Sequence, residues 1–172
     1  MSALKMTLLI TLIVVFTASC SVMSPKVIRD AGAKVPFKTL VGNMDKYVGK
    51  TVVLGGYILA AKHSNEDTIV AVLQAPLTRN GKPKSKHEAD GRFIIVLKGL
   101  LALDGYTTNR EVTVAGTVVE PVDKRFANCP SPCLTLASRE IYLWSVRVGS
   151  GSDPKGGTGE TPYWHTNQPD WF

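Results

Sequence analysis

Few residues in this chain are placed for chemistry, and the closest pair is Cys129 and Cys133, which bracket three residues, two of them proline. In an oxidising compartment such a pair reads first as a local disulfide pinning the turn before the last strand. The loop it closes is short, so its entropic contribution is smaller than that of a long-range bridge. Free thiols are the second reading. Redox chemistry would call for a C-x-x-C pair on a helix in a βαβ context, and zinc needs about four ligands where two cysteines stand with no nearby histidine. His63, His87 and His165 fall in three separate expected loops with no i, i+4 partner; solvated side chains are the simple account, a metal site or an acid-range switch the sharper one. The Gly-rich stretch 149–159 is superficially like a phosphate loop, but Gly157 stands where the lysine belongs, so it reads as a flexible linker. No G-x-S-x-G frame and no H-E-x-x-H occurs. Neither a catalytic residue, nor a metal site, nor a cofactor is expected.

The third cysteine carries more information. Lys5 precedes eleven residues, Met6 to Phe16, with only two threonines among Met, Leu, Ile, Val and Phe. That run is too short for a membrane span, which takes roughly 20 apolar residues, and suits the apolar region of an export signal. Thr17-Ala18-Ser19 then leads directly into Cys20. The segment resembles a bacterial lipobox, with Thr17 in place of the usual leucine. The resemblance implies that the Cys20 thiol takes a diacylglyceryl group, that residues 1–19 are cut away, and that the new amine is acylated. The alternative is a plain signal peptide that releases a soluble periplasmic protein. Several acyl chains give stable attachment where one gives only marginal binding. Ser21 is not the aspartate that retains lipoproteins in the inner membrane, so the expected location is the periplasmic face of the outer membrane, with the bilayer as partner.

Two further groups could make contacts. Arg79, Lys82, Lys84, Lys86 and Arg92 cluster in or beside one loop, around Asn80-Gly81 and Pro83. They read as a solvated loop or as a contact for anionic lipid head groups. Nucleic acid is not expected, because the aromatic platform is thin and the periplasm holds little of it. Near the C-terminus, Tyr163, Trp164, Trp171 and Phe172 fall within ten residues. Tyr and Trp favour membrane and protein interfaces, where one end of the ring is apolar and the other wet. The tail could equally fold back over the barrel; the Gly-rich linker tips the expectation toward the bilayer or an envelope protein partner.

These groups must be positioned by a β-rich domain. The chain has 172 residues, net charge +6 and 44% hydrophobic residues, which fits one domain with appendages and excludes a wholly disordered chain. Removing residues 1–19 loses only Lys5, leaving 19 basic residues against 14 acidic ones. Residues 20–34 read as a lipidated tether, 35–148 as the folded domain and 149–172 as linker and aromatic tail. Asn43 could cap a short turn through Met44 to Tyr47, ended by Gly49. Strands are expected at Thr51–Leu59, Thr68–Leu73, Arg92–Leu97, Glu111–Glu120 and Leu134–Arg147, with a helical turn within Leu100–Tyr106. Five strands with a turn before the fourth fit a mainly β, OB-like Greek-key barrel. Val52–Ile58 aligns with Val112–Val118, placing Gly56 level with Gly116, and glycine inside a strand marks a bend that a small barrel needs.

Tyr47-Val48-Gly49-Lys50, then Val53, Gly55-Gly56, Pro76-Leu77, Gly91-Arg92, Tyr106, Val114-Ala115-Gly116-Thr117 and Tyr142-Leu143-Trp144 resemble the Slp family of starvation-inducible outer-membrane lipoproteins. The resemblance covers roughly Phe37 to Trp144 together with the lipobox and aromatic tail. It implies a β-rich, non-enzymatic envelope lipoprotein associated with starvation, stationary phase or acid stress. No catalytic residues come with it, and the Cys129–Cys133 loop is not one of its recognised features. The alternative is a periplasmic module that uses the barrel face to bind a glycan, a lipid head group or another small ligand.

Overall fold

In a computed structural model, the described residues are 22–32, 34–120, 126–129, 133–145 and 165–166. The near-continuous apolar runs Thr68–Leu73 and Phe93–Leu97 become strands β2 (Asp67–Gln74) and β3 (Gly91–Lys98). Strands buried on both faces lose the usual polar alternation. Val70, Val72, Phe93, Ile95 and Leu97 point into the main core, while Ile69, Ile94 and Val96 form a second cluster with Cys129 and Cys133. Strands β1 (Thr51–Ser64), β4 (Glu111–Val119) and β5 (Leu134–Leu143) complete a sheet of order β3-β2-β1-β4-β5. Parallel pairing of β3 with β5, from Phe93↔Leu134 to Val96↔Ala137, closes it into a five-stranded barrel of the expected OB-like kind.

The strand ends differ from expectation in one informative place. β1 runs on to Ser64, because Ala60 to Ser64 pair with β2 after a one-residue bulge at Leu59. His63 is therefore a strand residue, and its Nε2 lies 2.9 Å from the Leu101 carbonyl oxygen. His87 sits in a 3-10 turn, Lys86–Glu88, and the expected turn before β4 is a 3-10 turn at Leu103–Gly105.

The aligned glycines have a geometric meaning. β1 and β4 are antiparallel neighbours, and Gly56 sits opposite Val112 while Gly116 sits opposite Val52. A Cβ on Gly56 would lie 1.9 Å from the Leu73 carbonyl oxygen of β2, and one on Gly116 2.8 Å from the Ala137 carbonyl oxygen of β5. Each glycine thus lets the next strand of the barrel approach where a side chain would block it.

Three short helices precede the barrel. The segment expected to be a tether instead carries α1 (Pro25–Ala31), with Val27 buried. Seven residues are too few for a helix to persist on periodicity alone, so tertiary docking must hold it. The start of α2 (Phe37–Gly42) sends Phe37 and Leu40 into the main core, where Phe37 meets Phe93 with ring centroids 6.3 Å apart. Helix α3 (Met44–Tyr47) follows; Asn43 precedes it as expected, but its side-chain amide donates back to the Thr39 carbonyl rather than capping. A two-residue strand β6 (His165–Thr166) pairs with Glu140 and Ile141 of β5.

Candidate functional site

The N-terminal segment is clamped to β5 at two points. The Ser24 amide donates to both carboxylate oxygens of Glu140, at 3.0 and 3.1 Å, and its hydroxyl donates to Oε2 at 2.9 Å. Ser24 is also the N-cap of α1, accepting from the Val27 amide, and Pro25 occupies the first turn, where its missing N–H costs nothing. At the other end of the helix, Arg139 reaches Asp30 at 2.8 Å and the Thr51 hydroxyl at 3.0 Å. The β4–β5 register shifts between Ala115 and Gly116, leaving Arg139 as the extra residue, and a bulge of this kind re-aims side chains. Arg139 and Glu140, though consecutive on β5, both hold α1. Beneath them Met23 and Val27 bury against Ala115, with Val22, Val53 and Tyr142 packed alongside. Glu140 is only 6% exposed, so its charge is desolvated and depends on the Ser24 donors.

Between this clamp and the barrel lies a groove of about 450 Å³, walled largely by apolar side chains that include Val22, Met23, Val53 and Leu77. Lys34, Arg79 and Asp90 also line it, and Asp90 is paired with Lys38 at 3.0 Å.

The five basic residues singled out by sequence do not form one open patch. Lys82, Lys84 and Lys86 line a separate polar groove with Tyr57 and Arg110. Lys82 pairs with Glu111 at 2.9 Å and lies over the Trp144 ring, and Lys84 pairs with Glu88 at 3.2 Å. Lys86 donates to the Asn109 side-chain oxygen at 2.6 Å and sits over the Tyr57 ring. Arg92 donates to the Asn128 carbonyl at 3.2 Å. Sequence displays the charges but not these partners, of which Asn128 lies 36 residues from Arg92 and Trp144 lies farther still from Lys82. Burial and the nearby Glu111 carboxylate raise the Tyr57 phenol above its ordinary pKa, so it stays a neutral donor to the Lys84 carbonyl, 2.7 Å away.

Cys129 and Cys133 are disulfide-bonded and buried, 6% and 1% exposed, against Ile69, Ile94, Val96 and Phe126 on the outer face of β2 and β3. Cys20, Tyr163, Trp164, Trp171 and Phe172 lie outside the described residues, as do residues 1–19. Among the described residues, no group of three or more His, Cys, Asp or Glu side chains is placed to hold a metal ion. No helix among them is long and apolar enough to cross a membrane.

The clamp and groove were missed by sequence reading. Ser24-Pro25, an N-cap type followed by proline at the first helical position, was the available signal for α1. Nothing in the sequence ties that helix to Glu140.

A family model described as "Outer membrane lipoprotein Slp family" matches residues 17–171. No curated protein matches the chain. Among solved structures, a protein described as an aspartyl-tRNA synthetase from Leishmania major Friedlin aligns at 13% identity and a TM-score of 0.45, over 80% of this chain. The chain spans only 26% of that protein's length, a likeness too slight to bear on fold or activity.

Proposed function

The chain belongs to the Slp family of outer membrane lipoproteins, and from that premise we propose that it is a non-enzymatic envelope component serving starvation, stationary-phase or acid stress, anchored through acylated Cys20 on the periplasmic face of the outer membrane. The observation that carries this reading is the clamp between Ser24 and Glu140. Cys20 lies four residues before Ser24, and at about 3.5 Å per residue the covalent chain keeps the two within ~14 Å. A barrel clamped so near its own acylation point rides against the bilayer instead of on a long leash. Four acidic side chains among the described residues are engaged in structural contacts: Glu140 holds Ser24, Asp30 holds Arg139, Glu111 holds Lys82 and Asp67 holds Lys98. That engagement favours a structural or binding role over turnover.

Cells deleted for the protein should survive starvation or acid challenge less well, and wild-type protein should restore them while Cys20→Ala does not. Equal survival with and without the protein under all three stresses would remove the stress role. Crosslinking in intact cells would identify an envelope protein partner. A second reading, a module that binds a ligand on the barrel face, is favoured by the apolar groove beside α1.

A further inference from the structure

The groove beside α1 combines three properties of a ligand site. Its volume of about 450 Å³ falls within the roughly 300–1,000 Å³ of small-molecule sites. At ~30 Å³ for each methylene, about the share of a water molecule in the liquid, it has room for at least one chain of about 15 carbons. Second, the charge on its lining is unbalanced. Among the described residues Lys34 and Arg79 form no hydrogen bond or ion pair, while the one acid in the lining, Asp90, is already paired with Lys38. Third, Val22 and Met23, the second and third residues after Cys20, form part of its wall, so the groove opens within a few residues of the acylation point.

We propose that this groove binds one long-chain fatty acid drawn from the bilayer surface, with the alkyl tail along the apolar wall and the carboxylate held by Lys34 and Arg79. The proposal rests on the reading that Cys20 is acylated, because that anchor is what presents the groove to a lipid surface. A cationic amphiphile would meet two unpaired cations. Burying the tail is favourable in proportion to the apolar area removed from water, and the two cations set the sign of the head group.

The test uses the mature lipoprotein reconstituted in phosphatidylethanolamine vesicles and palmitate carrying a photoreactive diazirine on its chain. Irradiation should place crosslinks on peptides from residues 22–37 and 74–81. Excess palmitate should reduce them at least tenfold, and hexadecyltrimethylammonium, a cation with a chain of the same length, should not. Ala31→Trp, which fills the groove from α1, and the pair Lys34→Glu with Arg79→Glu should each cut crosslinking at least tenfold with melting temperatures near wild type. Crosslinks confined to other peptides, equal competition by the cation, or competition by lysophosphatidylglycerol but not by palmitate would overturn the proposal. So would crosslinking that emerges only in Cys20→Ser, since the protein's own acyl chain would then be the occupant. A protein acylated at Cys20 but not crosslinked in the groove overturns the site alone; one crosslinked there but not acylated overturns the anchor alone.

Discussion

Ser24 and Glu140, 116 residues apart, are joined by three hydrogen bonds of 2.9 to 3.1 Å, and through them β5 of the barrel holds the start of the N-terminal helix. A carboxylate at a helix N-terminus meets both unsatisfied amides and the positive end of the helix dipole. Glu140→Ala leaves the Ser24 amide and hydroxyl without that acceptor at a half-buried site, at a cost of about 1–3 kcal/mol. The loss should be local. Amide exchange should rise across residues 24–31 while β2 and β3 keep their protection, and Glu140→Gln, which retains one acceptor oxygen, should fall between. Unchanged exchange over residues 24–31 in Glu140→Ala would show that α1 is held by packing alone.

The Cys129–Cys133 bridge closes a short loop, which the chain-entropy account values at about 2 kcal/mol. Because both sulfurs are buried against Ile69, Ile94 and Val96, the choice of replacement matters. The double Ala variant should lose about that much in chemical denaturation. The double Ser variant should lose more, since its hydroxyls would be desolvated. Equal losses would mean the loop opens to water once the bridge is gone.

Tyr106 is 5% exposed, and its hydroxyl has no hydrogen-bond partner among the described residues. Burial raises its phenol above the ordinary value, against a smaller opposing effect of Arg110. Tyr106→Phe should therefore be neutral or stabilising by up to about 1 kcal/mol at pH 7. The folded state holds the proton more tightly than the unfolded state, so the stability linked to Tyr106 is full below the unfolded value near pH 10 and falls as pH rises through the raised folded value. The Phe variant should show a shallower alkaline decline, read by thermal melts from pH 8 to 11. A loss of 2 kcal/mol or more at pH 7 would reveal a partner for the hydroxyl.

How much of this was legible in the sequence depends on the range of the interaction. β2 and β3 could be read from their apolar runs, and the barrel from strand count and the level glycines Gly56 and Gly116. The outer half of β1 could not, because Ala60-Ala61-Lys62-His63 has weak strand preference and gains its structure from pairing with Thr68 to Ala71. Helix α1 reads as a tether in the sequence because its seven residues bury only Val27, and what holds them, Arg139 and Glu140, lies at the far end of the domain. The basic loop reads as open in the sequence because Lys82 finds Glu111, and Lys86 finds Asn109, only in three dimensions.

The C-terminal tail touches the barrel through the two-residue pairing of β6 with Glu140 and Ile141. Deleting residues 161–172 removes that short pairing and four aromatic side chains. The melting temperature should fall by only a few degrees, since so short a pairing contributes about 1–3 kcal/mol. Association of non-acylated protein with anionic vesicles should drop severalfold. A large loss of stability with vesicle association intact would assign the aromatics to the barrel.

The most direct measurement is of the anchor itself: cells expressing the wild-type chain or Cys20→Ala are labelled with radioactive palmitate, and their membranes are separated by density. The wild-type protein should carry label and band with the outer membrane, held there by several acyl chains, and Cys20→Ala should carry no label and leave that fraction. Equal labelling and equal outer-membrane recovery of Cys20→Ala would contradict the account.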